Sequence, residues 1–328
     1  MTDTHTHTPR RTDGSPVTTA DARDLRALVD DYRTCELATL TRRGLPMAWP
    51  TAPLVEAGTG RITITTSVAL PQKAYNVRRD PRVAVLFSDP TGSGRSDLPQ
   101  VLVRGTAVCP DEIHTSPLGL EEYWSRLYER QASSTDVSAN ALSRWLMDWY
   151  HFRLVITVTP TSVEVLPPLA APGVPGRPAG RPEPGADAFA RLARRLPDFG
   201  SAVLAWPVEG AAPVLRRVRL AADAARRRFP VAGLGGALPP DGPVSLLLHS
   251  HDEQLGNLQL GSAVGRVETT EEGRAFTPER IVDVPGADAT GLGMLRTVRD
   301  LRGVARRYLA ARDLPRPAVA WSAFAALR

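Results

Sequence analysis

The chain has 328 residues, of which 42% are hydrophobic and 23% charged. That is enough for about two domains of ordinary size and is a globular, not a disordered, composition. The net charge of +5 comes from arginines scattered through amphipathic segments such as 191–195 and 296–307, so no nucleic-acid partner is expected. No run approaches the roughly 18 apolar residues of a membrane helix. The polar start lacks a signal-peptide core, and Cys35 and Cys109 are too few for a disulfide framework, so a cytoplasmic protein without a membrane partner is expected.

Residues 22–33 place Leu25, Leu28 and Val29 at helical spacing, behind Asp21 as a cap. Strand-like runs follow at 35–41, 47–55 and 61–66, separated by turns at Gly44 and at Gly58–Gly60, the pattern of an antiparallel meander. Residues 72–79 read as a short helix closed by Asp80-Pro81. Two more strands are expected at 82–88 and 100–109, and aromatic-rich helices at 121–130 and 141–150. A last strand at 152–158 leads into Thr159-Pro160 and a run at 163–166. Residues 167–186 are dominated by Pro, Gly and Ala and read as a semi-extended linker.

The second half echoes the first. Residues 200–208 repeat the first strand, with Gly210 in the turn position of Gly44. Residues 214–221 and 229–232 stand where the next strands belong, and 244–249 match 83–88. The run from Leu260 to Val264 matches that from Arg104 to Val108, which sets Gly261 opposite Gly105. Thr277-Pro278 matches Thr159-Pro160. The helical excursion between these landmarks is missing from the second copy, and the chain ends in an amphipathic helix at 292–312. The expected organisation is a disordered tail (1–20), a first barrel (21–166), a linker (167–187) and a degenerate second barrel with the C-terminal helix (188–328).

All but one of the 40 basic residues are arginines; the exception is Lys73. Its ammonium is a compact point charge where a guanidinium is a planar fork. A strand ends in Thr65-Thr66-Ser67, a loop follows, and a helix starts near Lys73. Hydroxyls, helix-start amides and one lysine in a small volume suit a phosphate monoester. The second copy has no lysine, no Asp-Pro-Arg and no helix-forming run between Val231 and Val244.

The arrangement of Thr65, Thr66, Ser67, Gln72, Lys73, Asn76, Asp80, Pro81 and Arg82 before the Val83–Phe87 run resembles the flavin-phosphate signature of the pyridoxamine 5′-phosphate oxidase-like split barrels. The resemblance covers about residues 22–166. It implies a mainly β (α+β) chain of two fused split β-barrels with peripheral helices, the second copy degenerate. It implies FMN held by the strand end and Lys73, with Gln100 near the flavin. Family members pair as homodimers with flavin across the interface, and a fused pair imitates that dimer within one chain. Gln72 stands where the oxidase proper has arginine, and its arginine-rich substrate segment is not recognisable, so pyridoxamine phosphate is not the expected substrate.

The function this implies is an FMN-dependent oxidoreductase acting on a small molecule, with the flavin carrying the redox chemistry. The alternatives are a deazaflavin-dependent reductase, its polyanionic tail met by Arg78, Arg79 and Arg82, or a non-catalytic flavin- or haem-binding protein. No catalytic side chain is singled out. Trp145, Trp149, Tyr150, His151 and Arg153 either line a substrate pocket or pack in the core. Cys35 and Cys109 are expected in cores. His249 and His251 share one strand face at a metal-compatible spacing, but no third ligand is identifiable. A surface or structural role is therefore read for them, and no metal.

Overall fold

The structure is a computed structural model that describes residues 18–131, 140–169, 185–236, 238–282 and 292–327. Most of the expected tail and linker lies outside these residues. The chain is mostly β, in two sheets. The first contains β1 (Thr18–Thr19), β2 (Cys35–Leu40), β3 (Pro46–Thr51), β4 (Pro53–Val55), β5 (Ile62–Ser67), β6 (Arg82–Phe87), β7 (Gln100–Val108) and β8 (Arg153–Leu166). They pair in the order β3-β2-β6-β7-β8-β5-β4, with β1 added on β8. Only Ala52 separates β3 from β4, so the two edges of this curled sheet belong to one nearly continuous run.

The second sheet contains β9 (Ala202–Trp206), β10 (Val214–Leu220), β11 (Phe229–Ala232), β12 (Gly242–Ser250), β13 (Gln259–Thr270) and β14 (Gly273–Val282). It closes into a barrel in the order β10-β11-β14-β13-β12-β9. When β3 and β4 are taken together as the counterpart of β10, the two cyclic orders are the same. The chain therefore consists of two split-barrel-like units, one curled and one closed.

Register corrects one detail of the repeat. In the first unit Val83 opposes Gly105, and a bulge falls between Arg104 and Gly105, beside Pro160. In the second, Val244 opposes Gly265, and the bulge falls between Val264 and Gly265, beside Pro278. Gly265, not Gly261, is thus the counterpart of Gly105, while the pairing of 83–88 with 244–249 holds. The glycine is required by close approach: a Cβ would meet the Thr159 carbonyl oxygen at 2.2 Å from Gly105 and that of Thr277 at 2.1 Å from Gly265. The same bulge lets Pro160 sit inside one long strand, so the two runs expected on either side of Thr159-Pro160 merge into β8.

Helices lie around both units, most of them on the first, while Leu192 of the helix at Ala188–Arg195 packs with the second. A 3-10 turn at Ala22–Asp24, capped by Asp21, leads into α1 (Leu25–Val29). This helix is shorter than the expected 22–33 because Asp30 and Asp31 follow at the negative end of the helix dipole. Then come α2 (Gln72–Arg79), α3 (Glu121–Arg130), α4 (Ala141–Met147), α5 (Ala188–Arg195), α6 (Leu292–Ala310) and an unexpected α7 (Trp321–Ala325). Although α6 and α7 follow the second barrel, they pack on the first unit. Ala305, Tyr308 and Leu309 join its core, and Phe324 packs on Trp124. Among the described residues no helix is long and apolar enough to cross a membrane.

The period-2 alternation of strands explains how the units meet. Leu37, Val83, Val85, Phe87, Val101 and Val103 point into the first core, with Cys35 and Cys109. Their neighbours Ala38, Ala84, Leu86 and Leu102 point the other way and share one core with Leu204, Leu246 and Phe276 of the second unit. Both faces of the first sheet are buried, so its strands read as continuous apolar runs.

The glycine contacts give a stability test. Gly105→Ala and Gly265→Ala are each expected to cost roughly 1–3 kcal/mol in urea unfolding, because backbone must move. Gly235→Ala, where a Cβ meets nothing within 4 Å, is expected within about 0.5 kcal/mol of the parent. Equal behaviour of the three variants would show that the bulge register is wrong.

Candidate functional site

The site begins where β5 ends. Ser67 opposes Arg153, the first residue of β8, and after a short loop α2 starts at Gln72. The buried face of α2 carries Lys73, Ala74, Asn76 and Val77. It is anchored on β2 by Asn76 Nδ2, which donates to Thr39 Oγ1 at 2.9 Å. That anchorage draws Lys73, one residue into the helix, below the surface: it is only 8% exposed.

The Lys73 ammonium lies 5.4 Å from the centroid of the Trp49 ring and makes no hydrogen bond or ion pair with any described residue. Burial, followed by repulsion from Arg153, pushes its pKa down to about 8. Arg153 is also 8% exposed, and its guanidinium rests over Tyr150 at 3.9 Å and Trp124 at 5.2 Å. Its buried Nε and Nη2 find no acceptor among the described residues. Two buried cations near one another, neither with a counter-charge, make a standing demand for an anion.

The hydroxyls named from sequence gather here but are already engaged. Thr65 donates to the Tyr123 hydroxyl (3.1 Å), Thr66 to the Leu70 carbonyl (2.9 Å) and Ser67 to the Trp149 carbonyl (2.6 Å). Gln72 donates to Asn76 Oδ1 at 2.9 Å. Gln100 is not brought to this group. It lies opposite Leu166, at the far end of β8 from Arg153, where its Oε1 accepts from the Arg217 amide at 3.1 Å across the unit boundary.

Trp49 also belongs to a cavity of about 240 Å³ between the units, lined by Met47, Trp49, Gln72 and Asn76 from the first and Leu247 and Val282 from the second. An apolar hollow and an unmet pair of cations thus share a wall. Arg78, Arg79 and Arg82 are committed elsewhere: Arg78 to Asp111 and the Cys109 carbonyl, Arg79 to the Leu40 carbonyl, and Arg82 to Asp80. Trp149 and His151 are buried, and His151 stacks on Trp124 at 5.4 Å within an aromatic cluster. Trp145 is exposed beneath Arg302. Arg153 therefore belongs with Lys73, a pairing that sequence separation hides and the β5–β8 register creates.

A second polar group lies at the unit boundary. Glu36, wholly buried, accepts from Ser88 at 2.8 Å, Arg217 at 2.6 Å and His249 at 2.8 Å. Burial alone would raise the Glu36 carboxyl, but the Arg217 charge and the His249 hydrogen bond hold it below its ordinary value. His249 is therefore not a surface residue. The third potential ligand missing from the sequence reading is also present: Asp89 approaches both His249 and His251.

No protein-family model matches the chain, and no curated protein matches it. Solved structures do. A conserved hypothetical protein from Mycobacterium tuberculosis is 25% identical, over 51% of this chain and 98% of that one, with a TM-score of 0.33. A candidate pyridoxamine 5′-phosphate oxidase from Listeria innocua is 20% identical over 44% and 97%, with a TM-score of 0.29. An FAD-binding protein from Mesorhizobium loti is 20% identical over 45% and 96%, with a TM-score of 0.30. The likeness is one of fold.

The buried ammonium has a pH signature. Folded Lys73 releases its proton near pH 8, and unfolded lysine near ~10.4. Between these values the unfolded chain holds more protons, so stability rises with pH. Without an anion, Lys73→Met is expected to be more stable than the parent by roughly 2–3 kcal/mol at pH 7. The difference should shrink as the pH is raised through about 10. Urea unfolding of both proteins across this range is the check, and a pH-independent difference would mean that the ammonium is solvated.

Proposed function

We propose that the first unit binds FMN through its phosphate at Lys73 and Arg153, and that the chain is a flavin-dependent oxidoreductase acting on a small organic molecule. One observation carries this reading: two buried cations share one end of the sheet, and neither has an anionic partner. A phosphate dianion fits that demand in charge and supplies acceptors for the unmatched Nε and Nη2 of Arg153. Lys73, with its pKa lowered by burial and by Arg153, regains full protonation beside such a group.

The remaining residues have supporting roles in this proposal. Thr65, Thr66 and Ser67 fix the strand end through their own hydrogen bonds, and Gln72, donating to Asn76 Oδ1, holds that amide with its Nδ2 toward Thr39 of β2. Trp49 and the apolar walls of the cavity keep water from whatever lies against them. Bound flavin would supply hydride or electron transfer; the chain's part is binding, orientation and exclusion of solvent. The engagement of Arg78, Arg79 and Arg82 with protein acceptors favours a single phosphate over the polyanionic tail of a deazaflavin. Because the apolar cavity takes walls from both units, the second barrel occupies the place that a partner subunit would otherwise take.

Titration of the full chain with FMN and with riboflavin, which lacks the phosphate, tests this directly. FMN is expected to bind at least tenfold more tightly than riboflavin. Lys73→Ala should remove a charge-assisted contact worth roughly 1.5–3 kcal/mol, about one to two decades in FMN affinity, and leave riboflavin binding unchanged. Arg153→Ala should act in the same direction. Unchanged FMN affinity in both variants would overturn the phosphate assignment. A Soret band in the purified protein would make haem the ligand instead.

A further inference from the structure

The boundary between the two units carries a second site. Asp89 follows β6 of the first unit, while His249 and His251 lie at the end of β12 in the second, on the same face of the strand. Asp89 Oδ2 is 3.8 Å from His249 Nδ1 and 3.7 Å from His251 Nε2, and all three ligand atoms lie within 4.8 Å of one another. A tetrahedral ion with bonds of ~2.0–2.2 Å separates its ligand atoms by ~3.3–3.6 Å, so only a small closure is needed.

Proton positions follow from the other side of each ring. His249 Nε2 lies 2.8 Å from Glu36 Oε1, and an ionised carboxylate only accepts, so Nε2 donates there. Arg217 Nη2, 2.8 Å from the same ring nitrogen, donates to the same Glu36 oxygen at 2.6 Å. His251 Nδ1 is 2.9 Å from the Asp252 carbonyl oxygen and donates to it. The neutral rings therefore turn their lone pairs, Nδ1 of His249 and Nε2 of His251, toward the Asp89 carboxylate. Thr34 Oγ1, 3.3 Å from His251 Nε2, is the one hydroxyl beside them. His249 Nδ1 is buried and has no hydrogen-bond partner.

A lone pair facing a carboxylate at 3.8 Å is too far for a hydrogen bond and repulsive as it stands; a cation between them reverses the sign. Glu36 accepting from the far nitrogen of His249, and a backbone carbonyl accepting from the far nitrogen of His251, are the outer contacts by which metal-binding histidines are oriented. Arg217 Nη2 donates to Glu36 at 2.6 Å and lies 3.8 Å from Asp89 Oδ2, so one guanidinium stands against two buried carboxylates and the group keeps a net negative charge for the ion. We propose that Asp89, His249 and His251 form a three-ligand site for a divalent transition metal ion of the zinc class, with a fourth position open, clasping the first unit to the second.

The test uses the full chain, stripped with chelator, loaded with zinc and desalted. One equivalent of zinc per chain is expected, together with a rise in melting temperature of roughly 5 °C at a hundredfold excess over Kd. Cobalt in place of zinc should give the visible bands of a four-coordinate ion. His251→Ala and the isosteric Asp89→Asn are each expected to weaken zinc binding by at least about tenfold; His249 is left intact because it also holds Glu36. His5→Ala with His7→Ala, in the N-terminal tail, should change nothing. Failure to retain zinc, retention at full affinity by both Asp89→Asn and His251→Ala, or loss of zinc in the tail variant would each overturn the proposal.

Discussion

The buried ion pair of Glu36 and Arg217 is the interaction on which the arrangement of the two units depends. Taking both charges out of water costs several kcal/mol per ion, and only good geometry with every remaining polar atom satisfied offsets that cost. The geometry here meets the condition. Glu36 receives three donors, and Arg217 reaches Ser88 at 2.9 Å and Ser201 at 2.8 Å as well as the carboxylate. Removing either partner alone would strand the other, a penalty of about 3–5 kcal/mol. The surrounding apolar interface, Ala38, Ala84 and Leu102 against Leu204 and Leu246, is tolerant of sliding; the ion pair is not. It fixes the register in which the cavity beside Trp49 is assembled.

Lys73 and Arg153 follow the opposite logic. A fold that supplies Glu36 with three donors has the means to satisfy a buried charge, yet it offers these two cations only aromatic faces. Ring quadrupoles attract a cation by about 0.5–2 kcal/mol each, which is less than the cost of desolvating it. The deficit is local and has a sign, so whatever relieves it must be negative. A similar comparison applies to Asp89, His249 and His251, where Arg217 is shared between Asp89 and Glu36 and His249 Nδ1 has no hydrogen-bond partner, so further positive charge is accommodated. The compensated pair of Glu36 and Arg217 thus stands between a group with an excess of buried positive charge and one with an excess of buried acceptors.

Much of this was legible in the sequence. Helix α2, its Asp80-Pro81 stop and the succession of strands along the chain could be read from period and turn residues, because those signals are local. The repeat was also legible, but its register was off by four residues in β13, since Gly261 and Gly265 are equivalent by composition and only the bulge beside Pro278 distinguishes them. Lys73 stood out as the single lysine. Arg153 was legible only as a substrate-pocket or core candidate, because its place beside Lys73 comes from lying opposite Ser67 across the sheet. Asp89 and Glu36 were invisible for the same reason: they meet His249 only when two units more than a hundred residues apart in sequence pack together. Gln100, expected near the flavin, lies apart from Lys73 because β8 is long enough to carry Arg153 at one end and the partner of Gln100 at the other.

The two units also complete one strand order in different ways. In the second, β11 follows β10 closely and pairs with both β10 and β14, so the ring shuts. Between β11 and β12 no helix occurs among the described residues. In the first, the chain bends at Ala52, so that β3 and β4 sit on opposite edges of the curled sheet, and α2 fills the return from β5 to β6. The helix brings Lys73 with it, and the bend leaves Trp49 free to stand between that lysine and the neighbouring unit. Closure and a cation-bearing helix are alternative ways of completing the same strand order. Each unit uses one of them, and the closed unit, its strands all paired with one another, is the one suited to serve as a wall.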